Sequence, residues 1–199
     1  MYPSLIVPAM RRTAFLLAIS LISAVPLAAQ TTEFGVLFGG SKRVVKSGQA
    51  APGANLQNPG FSLSNSSVDL YYAVQVDPGA MFKVQVGRID GPVAIRETNA
   101  AGDVVRRDVD GEVQHAEGLV EYRFSEPFGS TGLFAGVGVY RHQASGFTST
   151  TDYGFPIGLT GDFPMTRRYG LIVAATYHFT NADFRPRYLT LSGGLRLAF

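Results

Sequence analysis

Cysteine is absent from this 199-residue chain, and so is tryptophan. Without thiols there is no disulfide framework, no thiolate metal site and no cysteine to carry a lipid anchor. Stability must then come from core packing or from closure of the backbone on itself. Charge is also scarce, at 16% of residues, while hydrophobic residues reach 46%. Beyond the N-terminus no apolar run approaches the roughly eighteen residues that a helical membrane span requires, which excludes a helical membrane protein. An excess of one sign of charge is missing too. Of the 17 Lys and Arg, Arg11 and Arg12 fall in an N-terminal segment without acids, and the other fifteen face 15 Asp and Glu. That balance removes any compositional case for a nucleic-acid partner.

What is present begins with a secretory pattern. Arg11-Arg12 precede an apolar run from Ala14 to Val25, followed by Pro26 and the small Ala28-Ala29. This order of basic, apolar and small residues is that of a cleaved signal peptide. Cleavage is expected after Ala29, so residues 1–29 are a signal peptide, with Met10 as an alternative start, and residues 30–199 are the mature domain. The chain is expected to be exported.

After Gln30 the hydrophobic pattern has a period of two. Eight strands are expected, at about 32–42, 67–76, 81–89, 115–124, 132–142, 152–162, 167–179 and 188–199. One face is uncharged throughout: Phe34, Val36 and Phe38 begin it, Val68 to Val76 and Phe82 to Val86 continue it, and Leu195, Leu197 and Phe199 end it. The other face carries Glu33, Asp69, Glu117 and Glu121 against Lys83, Arg123, Arg168 and Arg196, four acids and four bases, among many glycines. Four apolar residues, Leu37, Leu119, Phe134 and Ile172, also fall on that second face. Pro156 lies inside strand six and is expected near a rim or at a bulge, because proline removes a ladder donor.

The connections alternate in length. Residues 77–80, 125–131 and 163–166 are short turns, whereas 43–66, 90–114, 143–151 and 180–187 are longer. Short turns on one rim and long loops on the other are the pattern of outer-membrane barrels. In hydrocarbon every strand edge must be paired, so strand eight must meet strand one. The expected fold is therefore all-β: an eight-stranded antiparallel transmembrane up-and-down barrel. With eight strands the interior is filled by side chains, and the balanced charges form a lumen network that argues for a plug rather than an open pore.

The last strand, Tyr188-Leu-Thr-Leu-Ser-Gly-Gly-Leu-Arg-Leu-Ala-Phe199, resembles the C-terminal assembly signal of outer-membrane barrels. The resemblance implies that Leu191, Leu195, Leu197 and Phe199 are read by the barrel-assembly machinery. The whole of residues 30–199 resembles the small eight-stranded barrels grouped as porin-like or outer-membrane β-barrel domain proteins. It implies location in a bacterial outer membrane, contact with outer-membrane lipids, and a structural or surface-interaction role, with a small-solute channel as the alternative.

Connection 90–114 is the richest external feature. Val93-Ala-Ile-Arg-Glu-Thr98 and Asp103-Val-Val-Arg-Arg-Asp108 read as strands three and four prolonged into a hairpin turning near Asn99 to Gly102. A projecting sheet edge there is a place for an extracellular ligand. The stretch His178-Phe-Thr180-Asn-Ala182 is similar to the His-x-Ser-Asn-Ala stretch of lipid A deacylase barrels, in which the His is a base for a nearby Ser. Here Thr180 replaces that Ser, and Ser192 stands where the acid of the next strand is expected. His115 and His142 lack ligand-type neighbours at metal spacing. No catalytic residue, metal or cofactor is expected. A soluble lipid-binding barrel would turn the apolar face inward, which fits neither the terminal Phe nor the missing tryptophan of the lipocalin signature.

Overall fold

The computed structural model describes residues 31–44, 62–98, 102, 104–181 and 186–199. The expected signal peptide at 1–29 and the middle of the first long loop lie outside the described residues. From Thr31 to Phe199 the chain forms a single unit. Its strands are β1 (Thr32–Val44), β2 (Ser62–Asp77), β3 (Ala80–Thr98), β4 (Val104–Glu126), β5 (Gly129–Ala144), β6 (Thr150–Pro164), β7 (Tyr169–Thr180) and β8 (Arg187–Ala198). Each pairs antiparallel with the next, and β8 pairs with β1 from Glu33↔Ala198 to Val44↔Arg187, closing the barrel. Closure matters more than propensity here, because it leaves no strand edge unpaired in the wall.

Three tight turns form one rim. Asp77-Pro78-Gly79-Ala80 joins β2 to β3, with Gly79 at φ +81°, the left-handed position that a proline-glycine turn assigns to glycine. Between β6 and β7 the Thr166 hydroxyl accepts the N–H groups of Arg168 and Tyr169, at 3.2 and 3.0 Å. The longer connections lie at the opposite rim.

Alternation along every strand sorts the side chains as its period requires. Phe38, Val120, Leu133, Leu159 and Leu195 point outward and are exposed, whereas Leu37, Leu119, Phe134 and Ile172 point into the lumen and are buried. On β4 the outward positions from Gln114 to Phe124 include Ala116, Val120 and Tyr122. At a tilt of about 45° those ten steps rise roughly 24 Å, the height of the apolar band of an outer-membrane barrel. Above this band stands a polar collar. Arg88 reaches Asp90 (Nε–Oδ1 2.9 Å) and Glu112 (Nη1–Oε2 3.3 Å), and Gln114 donates to Glu112 at 2.8 Å.

Pro156 is neither at the rim nor at a bulge. The β5–β6 ladder breaks between Ala135↔Ile157 and Gly138↔Gly154 and then resumes in the same register, while Pro156 stays paired with His178 on the β7 side. The missing N–H faces β5 only, so a local gap of two pairs suffices and the strand needs no extra residue.

Candidate functional site: lumen networks and a projecting ribbon

The lumen is built in layers. Nearest the turn rim is a charged network drawn from five strands. Arg123 on β4 donates Nη1 and Nη2 to the two oxygens of Glu33 on β1, both at 2.9 Å, and Nε to Glu121 at 2.7 Å. Arg196 on β8 donates Nε to Asp162 on β6 at 2.9 Å and comes within 3.5 Å of Glu33. Lys83 on β3 pairs with Glu121, which also accepts the Thr160 hydroxyl at 2.8 Å. The Lys83 ammonium sits over the rings of Tyr71 and Phe134, 4.8 and 5.3 Å from their centroids. Every cation thus meets a carboxylate, the condition under which charges are tolerated in a dry interior.

Leu37, Tyr71, Ala73, Met81, Ile172 and Ala174 form an apolar cluster beside this network. Toward the loop rim a second polar group gathers on Glu117 Oε1. Tyr140 donates to it at 2.6 Å, His178 Nδ1 lies at 2.9 Å, and His115 Nδ1 at 3.2 Å. His115 Nε2 is 3.0 Å from Asp69, and the two imidazoles lie 5.3 Å apart between centroids. These His115 contacts are close charge contacts rather than aligned hydrogen bonds, since neither ring nitrogen has a partner in bonding geometry. Ile89, Val93, Val113, Tyr140 and Tyr188 form the apolar layer at the mouth.

Of the eight charged residues expected in the lumen, Glu33, Asp69, Lys83, Glu117, Glu121, Arg123 and Arg196 are brought together there. Arg168 is not: β7 begins only at Tyr169, so Arg168 stands exposed in the turn. Asp162 was missed, although the even positions of its strand, Gly154, Pro156, Gly158 and Thr160, all point inward. The histidines were missed as a group, because linear spacing does not show that β2, β4 and β7 bring Asp69, His115, Glu117 and His178 together.

His178 is 1% exposed and bonded to Glu117 of β4, with Nε2 3.3 Å from the Thr190 hydroxyl. The Thr180 hydroxyl instead donates to the Pro186 carbonyl at 2.8 Å, and no hydrogen bond joins it to His178. Among the described residues no group of three or more His, Asp or Glu is arranged to hold a metal ion.

On β8, Leu191, Leu195 and Leu197 face outward, as does Phe199 just beyond its end, and the Phe199 N–H bonds to the Thr32 carbonyl at 2.9 Å. Outside the wall, β3 and β4 continue. They pair without a register shift up to Thr98↔Val104, whereas β2 last pairs with β3 at Ser67↔Ile89 and β5 last pairs with β4 at Gly111↔Ala144. The eight steps from Asp90 to Thr98 amount to about 27 Å of strand. Connection 90–114 is thus mostly paired strand, a two-stranded ribbon whose tip holds Gly102 at φ +86°.

No family model matches the chain, and no curated protein does. Solved structures match over nearly the whole barrel. Neisserial surface protein A (NspA) superposes with a TM-score of 0.58 at 14% identity, covering 84% of this chain and 97% of that one. The N-terminal β-barrel domain of Pseudomonas aeruginosa OprF gives 0.52 at 9% identity, over 85% and 97%. Ail of Yersinia pestis, in complex with the heparin analogue sucrose octasulfate, gives 0.51 at 11% identity, over 85% and 99%. The fold is that of the small eight-stranded outer-membrane barrels.

Proposed function

We propose that the protein is an integral, non-enzymatic outer-membrane barrel that acts at the bacterial cell surface through its β3–β4 ribbon. In this reading residues 1–29 direct export and are removed. Leu191, Leu195, Leu197 and Phe199 present the last strand to the barrel-assembly machinery, and outer-membrane lipids cover the apolar band. The ribbon carries the proposal, because paired strand extends eight steps past Asp90 of the polar collar and serves no purpose in closing the wall.

The lumen layers support a scaffold rather than a small-solute channel. Tyr71, Leu119, Phe134, Tyr140 and Ile172 are all buried in the interior. Reconstitution into planar bilayers is expected to give no steady conductance, and regular single-channel steps would replace the scaffold with the channel. The surface role is tested on intact cells. The chain has no cysteine, so Thr98→Cys is a unique label site, expected to react with a membrane-impermeant maleimide. Failure to label in intact cells, with labelling after lysis, would reverse the orientation of the ribbon and end the surface reading.

A further inference from the structure

The outer wall changes character along one line. Val86, Ala116, Val139 and Tyr153 form an outward row across β3 to β6, and the outward row above it is Arg88, Gln114, Arg141 and Thr151. All four residues of the upper row are exposed, and the lower row holds no charge. Gln114 marks the upper end of the apolar band, so the step from lipid tails to headgroups falls between these two rows. The two arginines differ. Arg88 is answered by Asp90 and Glu112 in the collar. Arg141, two strands away and about 10 Å along the row, donates Nη2 to the Ser149 hydroxyl at 3.3 Å and meets no carboxylate among the described residues.

Below Gln114 the outward side chains of β4 are small. Ala116 and Gly118 follow it, flanked by Val84 and Val86 on β3 and by Val137 and Val139 on β5. A Cβ on Gly118 would meet nothing within 4 Å. The wall therefore carries a shallow apolar trough that starts between the two arginines and runs toward the middle of the band. Its two ends select differently. A free phosphate ion satisfies Arg141 and makes no use of the trough. A neutral lipid fills the trough and leaves the guanidinium without a counter-charge. A lipid with an anionic phosphate headgroup satisfies both, because the charge-assisted bonds and the chain contact lie one row apart.

We propose that Arg141, with the Ser149 and Thr151 hydroxyls beside it, holds the phosphate of an anionic phospholipid whose acyl chain lies over Ala116 and Gly118. The proposal rests on the outer-membrane reading above and names the lipid class that this part of the wall selects. A guanidinium fork gives a phosphate two parallel N–H bonds, which adds direction to the charge attraction. Asp90 and Glu112 stand one row higher beside Arg88 and repel an anion there, which favours the Arg141 end of the row.

The test uses the full barrel in neutral maltoside micelles and counts retained lipids by native mass spectrometry. The probes are dioleoyl phosphatidylglycerol and dioleoyl phosphatidylcholine, whose chains are identical, so any difference reads the headgroup. The parent barrel is expected to hold a single phosphatidylglycerol about tenfold more tightly than phosphatidylcholine. Arg141→Gln should erase that preference, and Gly118→Leu should weaken retention several-fold with Arg141 intact. Arg167→Gln, on the opposite rim, should change nothing. The heat-modifiable gel shift verifies that each variant is folded, and the comparison of the two lipids on the parent stands without the variants. Equal retention of the two lipids, or an unaltered preference in Arg141→Gln, overturns the inference. Parent-like retention by Gly118→Leu overturns it through the chain, and full displacement by millimolar inorganic phosphate does so by showing a bare anion site. A barrel that is monodisperse in water without detergent removes the membrane reading itself, whereas a detergent-dependent barrel without lipid preference removes this inference alone.

Discussion

Arg123 on β4 grips Glu33 on β1 with two parallel bonds of 2.9 Å, across the narrow lumen rather than along the wall. That fork ties the first strand, whose other side must meet β8, to the middle of the sheet. Bidentate pairs of this kind are stronger and more directional than single charge contacts. Glu33 also lies within 3.5 Å of Arg196 on β8, so one carboxylate touches both sides of the closing seam.

Removing either partner leaves a poorly compensated charge in a dry interior. Arg123→Ala, which leaves Glu33 only its 3.5 Å contact with Arg196 and Glu121 only Lys83, is expected to destabilise the barrel by about 3–5 kcal/mol. Urea unfolding in lipid vesicles, followed by tyrosine fluorescence and by the heat-modifiable gel shift, measures it. The double variant Arg123→Leu with Glu33→Leu should recover a large part of the loss. A double variant as damaged as the sum of the singles would mean that the pair is not coupled.

Glycines in the wall are not equivalent, which gives a sharper test of packing. A Cβ on Gly87 would lie 2.0 Å from Asp69 Oδ1 and 2.7 Å from His115 Nε2. Gly87→Ala must therefore displace the Asp69–His115 contact and is expected to cost about 1–3 kcal/mol, as overpacking does. A Cβ on Gly118 meets nothing within 4 Å. Gly118→Ala is expected to be neutral or to gain up to about 1 kcal/mol, since alanine loses less backbone freedom on folding. Equal losses at the two sites would contradict the packing described.

The uncharged outer face makes its own prediction. Val120 is 61% exposed near the middle of the apolar band on β4. Val120→Arg is expected to cost about 2–4 kcal/mol in a bilayer. Gln114→Arg, in the polar collar, should change stability by less than about 1 kcal/mol, because depth decides the penalty. Vesicle unfolding of both variants checks this, and similar penalties at both depths would remove the membrane assignment of this belt.

Strand number and face parity were legible because alternation is local: Leu37 between Val36 and Phe38 already reads as inward. The prolongation of β3 and β4 was legible too, because Val93 to Thr98 and Val104 to Asp108 carry strand residues on either side of a turn, although they lack the apolar face that a lipid belt imposes. The lumen partners were least legible. Arg123 and Glu33 are ninety residues apart, and only the stagger of the closed barrel sets them at one height. Arg168 was assigned inward by extending the parity of β7 back into the Thr166 turn, although the strand begins only one residue later at Tyr169.

Phe199 separates folding from assembly. Its ring is 71% exposed on the outer face, while its N–H closes the ladder onto Thr32 through the backbone. Replacing the ring leaves that bond and removes little protein contact, so Phe199→Ala is expected to refold into vesicles within about 1 kcal/mol of the parent. A role as the residue read by the assembly machinery predicts a different outcome in cells. There, the heat-modifiable form in the outer-membrane fraction should fall several-fold while total synthesis is unchanged. Normal insertion in cells would remove the assembly role from Phe199. A large loss in vesicles would make the ring a structural element of the β8–β1 seam instead.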